Sequence, residues 1–469
     1  MKGASQWNHK PYRPFDQADE AEKPFVCRIA PYRNGFEAEW MDNGSTDDHI
    51  LQYRKMESYE PWTEMNCIGN SVKVECIENY ADYEFRVVRK HESDIGSAVR
   101  YVRTGETVGT VVNYLHPADE IYAFSGRALC SPSLVKLPDG ALLASMDLYA
   151  PDVTPQNLTL IFRSDDSGET WHYLTDLFPC YWGTLFLHRG KLFMFSTETE
   201  YGNVLVSESK DEGKTWSVPT VLFYGSGLFK ASGWQHTPSA FTEHQGRLYT
   251  SIDYGAWANG GHGICLLSID ADADLLNAEN WCVSSPVRYD PTWQGAPKGS
   301  SGGLLEGNIV VGPDGELYDL LRLQINDCVP NHGLAVALKG NYHDPEVKLK
   351  FDSFVEIPCG SNSKTHIIRD EVSGQYIGIG NICTDSSTPG QRNVLAMVSS
   401  RDMVHWEVAK NLLDYRHMDA GKVGFQYIFF LIDGDDIIYL SRTSINNAHN
   451  YHDANYQTFH RIKNFRNFL

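Results

Sequence analysis

The chain has 469 residues, 42% of them hydrophobic and 12% aromatic, with a formal net charge of −20. Sixty acidic against forty basic side chains, with no Lys/Arg block, argue against nucleic acid and anionic membrane as partners, because either needs a basic stripe. No run of 18 apolar residues exists to span a membrane. Eleven Trp, 25 Tyr and 21 Phe suit β-structure and the stacking of sugar rings. The ten cysteines are scattered without a C-x-x-C pair, so they read as small buried hydrophobes, and neither metal nor cofactor is expected. The amino-terminal MKGASQWNHKPYRPF lacks the apolar stretch of a secretory signal. The expected location is therefore cytoplasmic, with secretion after loss of a leader as the alternative. The oligomeric state is not legible.

Residues 1–22 are polar and aperiodic and read as a surface lead-in. From 23 to 105, short alternating segments recur: FVCRIA, FEAEW, HILQYRK, SVKVECI, YEFRVVR and AVRYVRT. Turns such as NG, DNGS and SYEP separate them, the pattern of a small β-sandwich. Trp40, Tyr53 with Arg54, and Tyr83 resemble a fibronectin type III module, which implies a spacer or docking unit.

From 106 to 469 the pattern changes. FRSDDSGETW carries Ser164, Asp166, Gly168, Thr170 and Trp171, and ESKDEGKTW repeats the spacing with Ser209, Asp211, Gly213, Thr215 and Trp216. SSRDMVHW keeps Ser400, Asp402 and Trp406. Such a repeat with β patterning signals propeller blades. Ser and Asp hold backbone amides in a tight turn, Gly supplies a positive φ, and Trp plugs the space beneath. These are Asp boxes, and the chain resembles the sialidase-like (Asp-box, or BNR-repeat) β-propeller superfamily. The expected fold is all-β: a six-bladed propeller, or seven-bladed, after the sandwich. Blades begin at ALCSPSLVKLPDG, CYWGTLFLHRG, HTPSAFTEHQG, LEGNIVVGPDG, HIIRDEVSG and FQYIFFLIDG, and residues 106–125 supply a closing strand. The starts of the inner strands converge on the channel, which predicts that Cys130, Trp182, His236, Glu306, His366 and Tyr427 share a pocket.

The resemblance to exo-sialidases implies residue roles. LLEGNIVVGPDGELYDLLR resembles the segment from the base Glu to the second carboxylate-binding Arg, mapping them to Glu306 and Arg322. STPGQRNVLAMVSSRDMVHW maps the third Arg to Arg392, and GFQYIFFLIDGDDIIYLSR maps the nucleophile to Tyr427. Two departures stand out. The first Arg is replaced by Cys130, with Arg127 the nearest guanidinium, and the acid/base Asp maps to Asp152, with Asp147 next.

A Tyr becomes a nucleophile when a carboxylate takes its proton. The leading expectation is thus an exo-acting, retaining glycoside hydrolase of sialidase-like type that releases a terminal acidic sugar from an oligosaccharide or larger glycan. Tyr427, Glu306, Asp152 and His236 form the catalytic set. Arg322, Arg392, Arg127, His366, Trp182 and His262 form the binding set. The missing Arg and the excess of histidines favour a rival, a polysaccharide lyase that removes a uronate C5 proton with His236 or Tyr427 and proceeds by β-elimination. A non-catalytic glycan-binding propeller is a third reading. In the carboxy-terminal run INNAHNYHDANYQTFHRI, His449, His452, His460 and Asp453 read as a loop at the pocket rim ahead of a metal site.

Overall fold

A computed structural model describes residues 23–42, 48–151, 156–297, 300–326, 333–340, 349–360, 363–385, 388 and 390–469. Among them the regular structure is β-strand with a few 3₁₀ turns, and none is an α-helix. The first seven strands are β1 (Phe25–Tyr32), β2 (Gly35–Met41), β3 (His49–Lys55), β4 (Thr63–Cys67), β5 (Ser71–Val74), β6 (Asp82–Arg89) and β7 (Arg100–Arg103). They make two sheets, ordered β1-β2-β5 and β4-β3-β6-β7. The alternation of β2 puts Phe36, Ala38 and Trp40 inward against Leu51, Phe85 and Val87, while Glu37 and Glu39 turn outward.

β8 (Thr110–Tyr114) follows and belongs to a different sheet, yet Val111 and Tyr114 share the sandwich core with Ile445 and Tyr456. Buried Arg28 donates from Nε to the Val112 carbonyl at 2.9 Å and from Nη2 to the Val111 carbonyl at 3.1 Å. Arg100, also buried, pairs with Asp119 at 2.6 Å. The sandwich is seated against β8 by a continuous core and by buried hydrogen bonds.

The rest of the chain is a succession of antiparallel meanders of propeller type. β9 (Ala128–Lys136), β10 (Leu142–Tyr149), β11 (Thr159–Ser164) and β12 (His172–Leu177) form the first. β13 (Tyr181–His188), β14 (Lys191–Thr197), β15 (Val204–Ser209) and β16 (Thr220–Phe223) form the second. β17 (Gly233–Gln235), β18 (Thr242–His244), β19 (Arg247–Ala256), β20 (Gly261–Asp270) and β21 (Trp281–Val283) are joined to the next meander by one parallel bridge, His262 to Gly303. That next meander is β22 (Ser300–Val311), β23 (Leu317–Asn326), β24 (Leu334–Gly340) and β25 (Lys350–Glu356). β26 (His366–Arg369), β27 (Tyr376–Asn381), β28 (Val394–Ser400) and β29 (Trp406–Asp414) follow. The last sheet is β30 (Gly424–Asp433), β31 (Asp436–Ser444) and β32 (Tyr456–Ile462), completed by β8 from the other end of the propeller. The strand expected within 106–125 thus closes the ring by pairing with β32.

The repeated S-x-D-x-G-x-T-W segments form the turns from β11 to β12 and from β15 to β16. In the first, Ser164 accepts from the Gly168 amide at 2.8 Å, and Asp166 accepts from the Thr170 amide at 2.8 Å. Gly168 has φ of +95°, and a Cβ there would fall 2.1 Å from the Phe459 ring. Trp171 is fully buried, its ring 5.5 Å from that of Phe459. Replacing Trp171 by Ala should cost about 3–5 kcal/mol of stability, the range for deleting a buried large aromatic. The half-buried Trp406 should cost clearly less, and the denaturation midpoints of the two variants measure the difference.

Candidate active site

The inner edges of the meanders surround a cavity of about 310 Å³. The same backbone device aims four of its residues. Ser131 on β9, Trp182 on β13, Glu306 on β22 and Tyr427 on β30 have φ of 29°, 52°, 59° and 52°. Each lies at a register shift against the second strand of its sheet. A bulge adds a residue to one strand and re-aims its side chain, and left-handed backbone at a non-glycine residue costs on the order of 1–3 kcal/mol. That cost recurs in four sheets at one level of the channel.

Glu306 and Tyr427 line this cavity together with Arg322, Arg392, Trp182 and Cys130. Arg322 donates from Nη1 to Glu306 Oε2 at 3.1 Å and also bonds Tyr427, so one guanidinium links the carboxylate to the phenol. Burial opposes the charge on Arg322, but Glu306 and Tyr427 outweigh it and raise its pKa. Burial, and then Glu306, push the Tyr427 phenol up, so it holds its proton at neutral pH. The Glu306 amide is anchored by Asp253 Oδ1 at 3.2 Å, a buried carboxyl raised by burial and by Glu306 itself.

Arg392 lies over the Tyr427 ring at 5.6 Å, and its Nη1 donates to Gln426 Oε1. Burial lowers its pKa. A third guanidinium, which the sequence reading did not single out, faces the same ring: Arg442 on β31 lies 5.1 Å from the Tyr427 ring. Its Nη1 reaches Cys130 Sγ at 3.1 Å, and its Nη2 reaches His452 Nδ1 at 3.2 Å. Among the described residues neither Arg392 nor Arg442 has a carboxylate within 4.0 Å, although both are buried. A buried guanidinium without a counter-ion is costly, and such groups concentrate where an anion binds.

A signal for Arg442 was present in the chain. Arg322 pairs in register with Leu305, the residue before the bulged Glu306, and Arg442 pairs with Gln426, the residue before the bulged Tyr427. Hairpins of nearly equal length therefore deliver both arginines to the cavity. The same position in the first meander holds Asp147, opposite Cys130. Asp147 is buried behind the cavity, accepts from Thr159 Oγ1 at 2.5 Å, and is pushed up to about 8 by burial.

Other expected residues stand elsewhere. Asp152 lies outside the described residues. His236 is fully buried off the cavity: its Nε2 pairs with Thr184 Oγ1 at 2.9 Å and its ring meets Phe195 edge-on. His366 is likewise a core histidine, its Nδ1 accepting from the Phe430 amide at 3.0 Å. His236 follows β17 in irregular chain and His366 opens β26, and no register shift re-aims a residue at either place. His262 sits behind the lining, between Tyr201 and Trp257. Arg127 pairs with Glu120 and faces an adjoining cavity. His452 does line the site, held by Asp453 at 2.8 Å, whereas His460 is stacked on Tyr439. Among the described residues no cluster of metal-ligating side chains occurs.

The cavity also holds a carboxyl that the sequence reading passed over. Glu200, in the turn after β14, lines it along with Tyr149, Tyr181, Phe229 and Trp257. Burial pushes Glu200 up to about 7.

No protein-family model matches the chain, and no curated protein sequence matches it. Solved structures do. A Dyadobacter fermentans protein of unknown function matches with a TM-score of 0.50 and 13% identity over 76% of this chain and 99% of its own. An α-L-arabinanase of Penicillium chrysogenum, complexed with arabinobiose, gives 0.49 and 14% over 77% and 99%. A leech intramolecular trans-sialidase complexed with 2,7-anhydro-Neu5Ac gives 0.47 and 10% over 96% and 93%. At these identities the likeness is one of fold.

The shift on Glu200 has a thermodynamic consequence. Its folded-state pKa stands above the unfolded value of 4.5, so the folded protein holds this proton more tightly. The associated stability is present below pH 4.5 and is lost as pH rises toward 7. Replacing Glu200 by Gln should therefore leave melting temperature unchanged at pH 4 and raise it relative to the parent above pH 7, read by thermal denaturation across that range.

Proposed function

We propose that this protein is an exo-acting, retaining glycoside hydrolase of sialidase-like type that releases a terminal acidic sugar. The observation that carries the reading is the convergence of three guanidiniums, Arg322, Arg392 and Arg442, on the ring and hydroxyl of Tyr427, with Glu306 bonded to the first. Such an array suits a sugar carboxylate, and it explains how a chain of net charge −20 attracts an anion. On this reading Arg442 takes the place left by Cys130.

The Tyr427 oxygen attacks the anomeric carbon while Glu306 accepts the phenolic proton. A neutral phenol meets an anionic sugar with less repulsion than a carboxylate would. The glycosidic C–O bond breaks, its electron pair goes to the leaving oxygen, and Glu200 supplies the proton. A carboxyl pushed up to about 7 is about half protonated at neutral pH, which keeps the acid form needed for proton donation well populated. Water then attacks the glycosyl-tyrosine; Glu200 takes the water proton, and Tyr427 departs with its proton returned from Glu306. Trp182, Trp257 and Phe229 offer faces for the sugar ring. Of the two bases open to the β-elimination alternative, His236 lies off the cavity, which leaves Tyr427.

We also read the described sheets as a six-bladed propeller over 106–469, preceded by a fibronectin type III-like sandwich over 23–105. The three-plus-four strand order supports that reading.

Turnover is tested with aryl glycosides and disaccharides of N-acetylneuraminic and glucuronic acids. Tyr427→Phe should abolish hydrolysis, and proton NMR of the first product should show the anomeric configuration of the substrate. Arg442→Met should lower kcat/KM by about 100-fold, the scale of a charge-assisted pair. An inverted product, or full activity in the Phe variant, defeats the mechanism.

A further inference from the structure

Three of the four left-handed residues around the cavity are held, at or beside their own peptide, by a buried titratable side chain from the preceding meander. Asp147 on β10 accepts from the amides of Trp182 and Gly183. Asp253 on β19 accepts from the Glu306 amide at 3.2 Å. The third case is Tyr427, and the side chain beside it is Lys364, just ahead of β26. Lys364 is 1% exposed, and no other lysine among the described residues is buried.

Lys364 does not line the active-site cavity but runs beneath it. Its Nζ donates to the carbonyls of Pro238 and Ile428, the second at 3.5 Å. Each carbonyl belongs to the residue directly after a cavity-lining one, Thr237 and Tyr427. One amine therefore ties two inner segments together a single residue below the cavity. Burial pushes Lys364 down to about 7, with Glu306 opposing. Ammonium and neutral amine both carry N–H donors, so the tie holds on either side of that pH. A place that needed only filling would take leucine or methionine, because burying an amine is costly.

The same neighbour grips β30 on both sides of Tyr427. Asn381 Nδ2 donates to the Phe425 carbonyl at 2.7 Å, and Ser363 Oγ fixes the Asn381 Oδ1 at 2.7 Å. Beyond Tyr427, Lys364 takes the Ile428 carbonyl and lies 5.7 Å from the centre of the Phe429 ring. His366 then accepts from the Phe430 amide at 3.0 Å. Left-handed backbone at a residue with a side chain persists only where its surroundings over-determine it, and these bonds supply that constraint.

We propose that Lys364 is the positioning residue for Tyr427: by tying the Ile428 carbonyl to that of Pro238, it fixes the bulge that aims the phenol into the cavity, as Asp253 does for Glu306. This rests on the hydrolase reading above and carries its machinery below the cavity floor. Lys364 meets no reacting atom, so its loss should disturb the aim of Tyr427 while Arg392 and Arg442 still bind the sugar.

The test is Lys364→Met in the full chain, which keeps the length of the side chain and removes its donors. On aryl glycosides of N-acetylneuraminic and glucuronic acids, kcat should fall about 100-fold, the scale of a reacting group misplaced by about 1 Å, with KM within about threefold of wild type. A crystal structure of the variant should show Tyr427 out of the left-handed region. Lys364→Gln keeps an N–H donor without the charge and should recover about tenfold of the lost kcat, the scale of one hydrogen bond. Unchanged kcat, a loss confined to KM, equal losses in the two variants, or a Tyr427 backbone unmoved by the Met change overturns the proposal. If only the Gln variant folds, about a tenfold lower kcat at unchanged KM supports it, and any other result overturns it. Failure of both to fold overturns it as well, because Lys364 then serves stability alone. If wild type turns over neither glycoside, the hydrolase reading fails separately, and the crystal structures decide. Tyr427 displaced in the Met variant and returned in the Gln variant supports the positioning role, and any other pair of backbones overturns it.

Discussion

Two buried arginines with no acidic partner among the described residues set the terms for the rest of this molecule. Arg392 lies 5.6 Å and Arg442 5.1 Å from the Tyr427 ring, and their other neighbours are an amide oxygen, a thiol and an imidazole. Taking a guanidinium out of water without a counter-charge costs several kcal/mol. Elsewhere the chain pairs its buried arginines: Arg100 with Asp119, and Arg89 with Asp42. In so acidic a chain, two guanidiniums in one cavity with no carboxylate within reach among the described residues form a specific arrangement, and on the proposed reading the substrate carboxylate completes it.

The fold sustains that arrangement by repetition. Bulged, left-handed residues on four inner strands present side chains at one level, and the hairpins behind two of them deliver Arg322 and Arg442. Ring closure holds the geometry, because β8 joins the last sheet from the far end of the propeller. The sandwich reinforces that closing strand: Arg28 grips its carbonyls from one side while Tyr114 and Tyr456 enter the shared core. A module expected to be a spacer or docking unit is thus packed on the strand that closes the ring around the site.

The architecture was legible because turn chemistry repeats in the sequence. Ser164–Trp171 and its copy at Ser209–Trp216 mark where each sheet turns into its last strand, and they do so with side chains committed to backbone amides. Glu306, Arg322, Arg392 and Tyr427 could be named because their segments kept the order of a known family, and the structure brings them into one cavity. The histidines were misjudged for a physical reason. A bulge decides which residue turns toward the axis, and neither His236, just past the end of β17, nor His366, at the start of β26, lies at one, so both remain in the core. Arg442 escaped notice because it lies on a second strand, where only its register opposite Gln426 reveals its position. Glu200 escaped because a turn carboxyl carries no pattern until burial is known.

The central claim is that the cationic cavity recognises a sugar through its carboxylate, and the most direct measurement is a matched binding comparison by calorimetry. N-acetylneuraminic acid against its methyl ester, and glucuronic acid against glucuronamide, change the charge and little else. The account predicts that in at least one pair the acid binds about 100-fold more tightly, the scale of charge-assisted bonds in a desolvated site, with affinity falling as salt rises. Equal binding of acid and neutral partner in both pairs would contradict it.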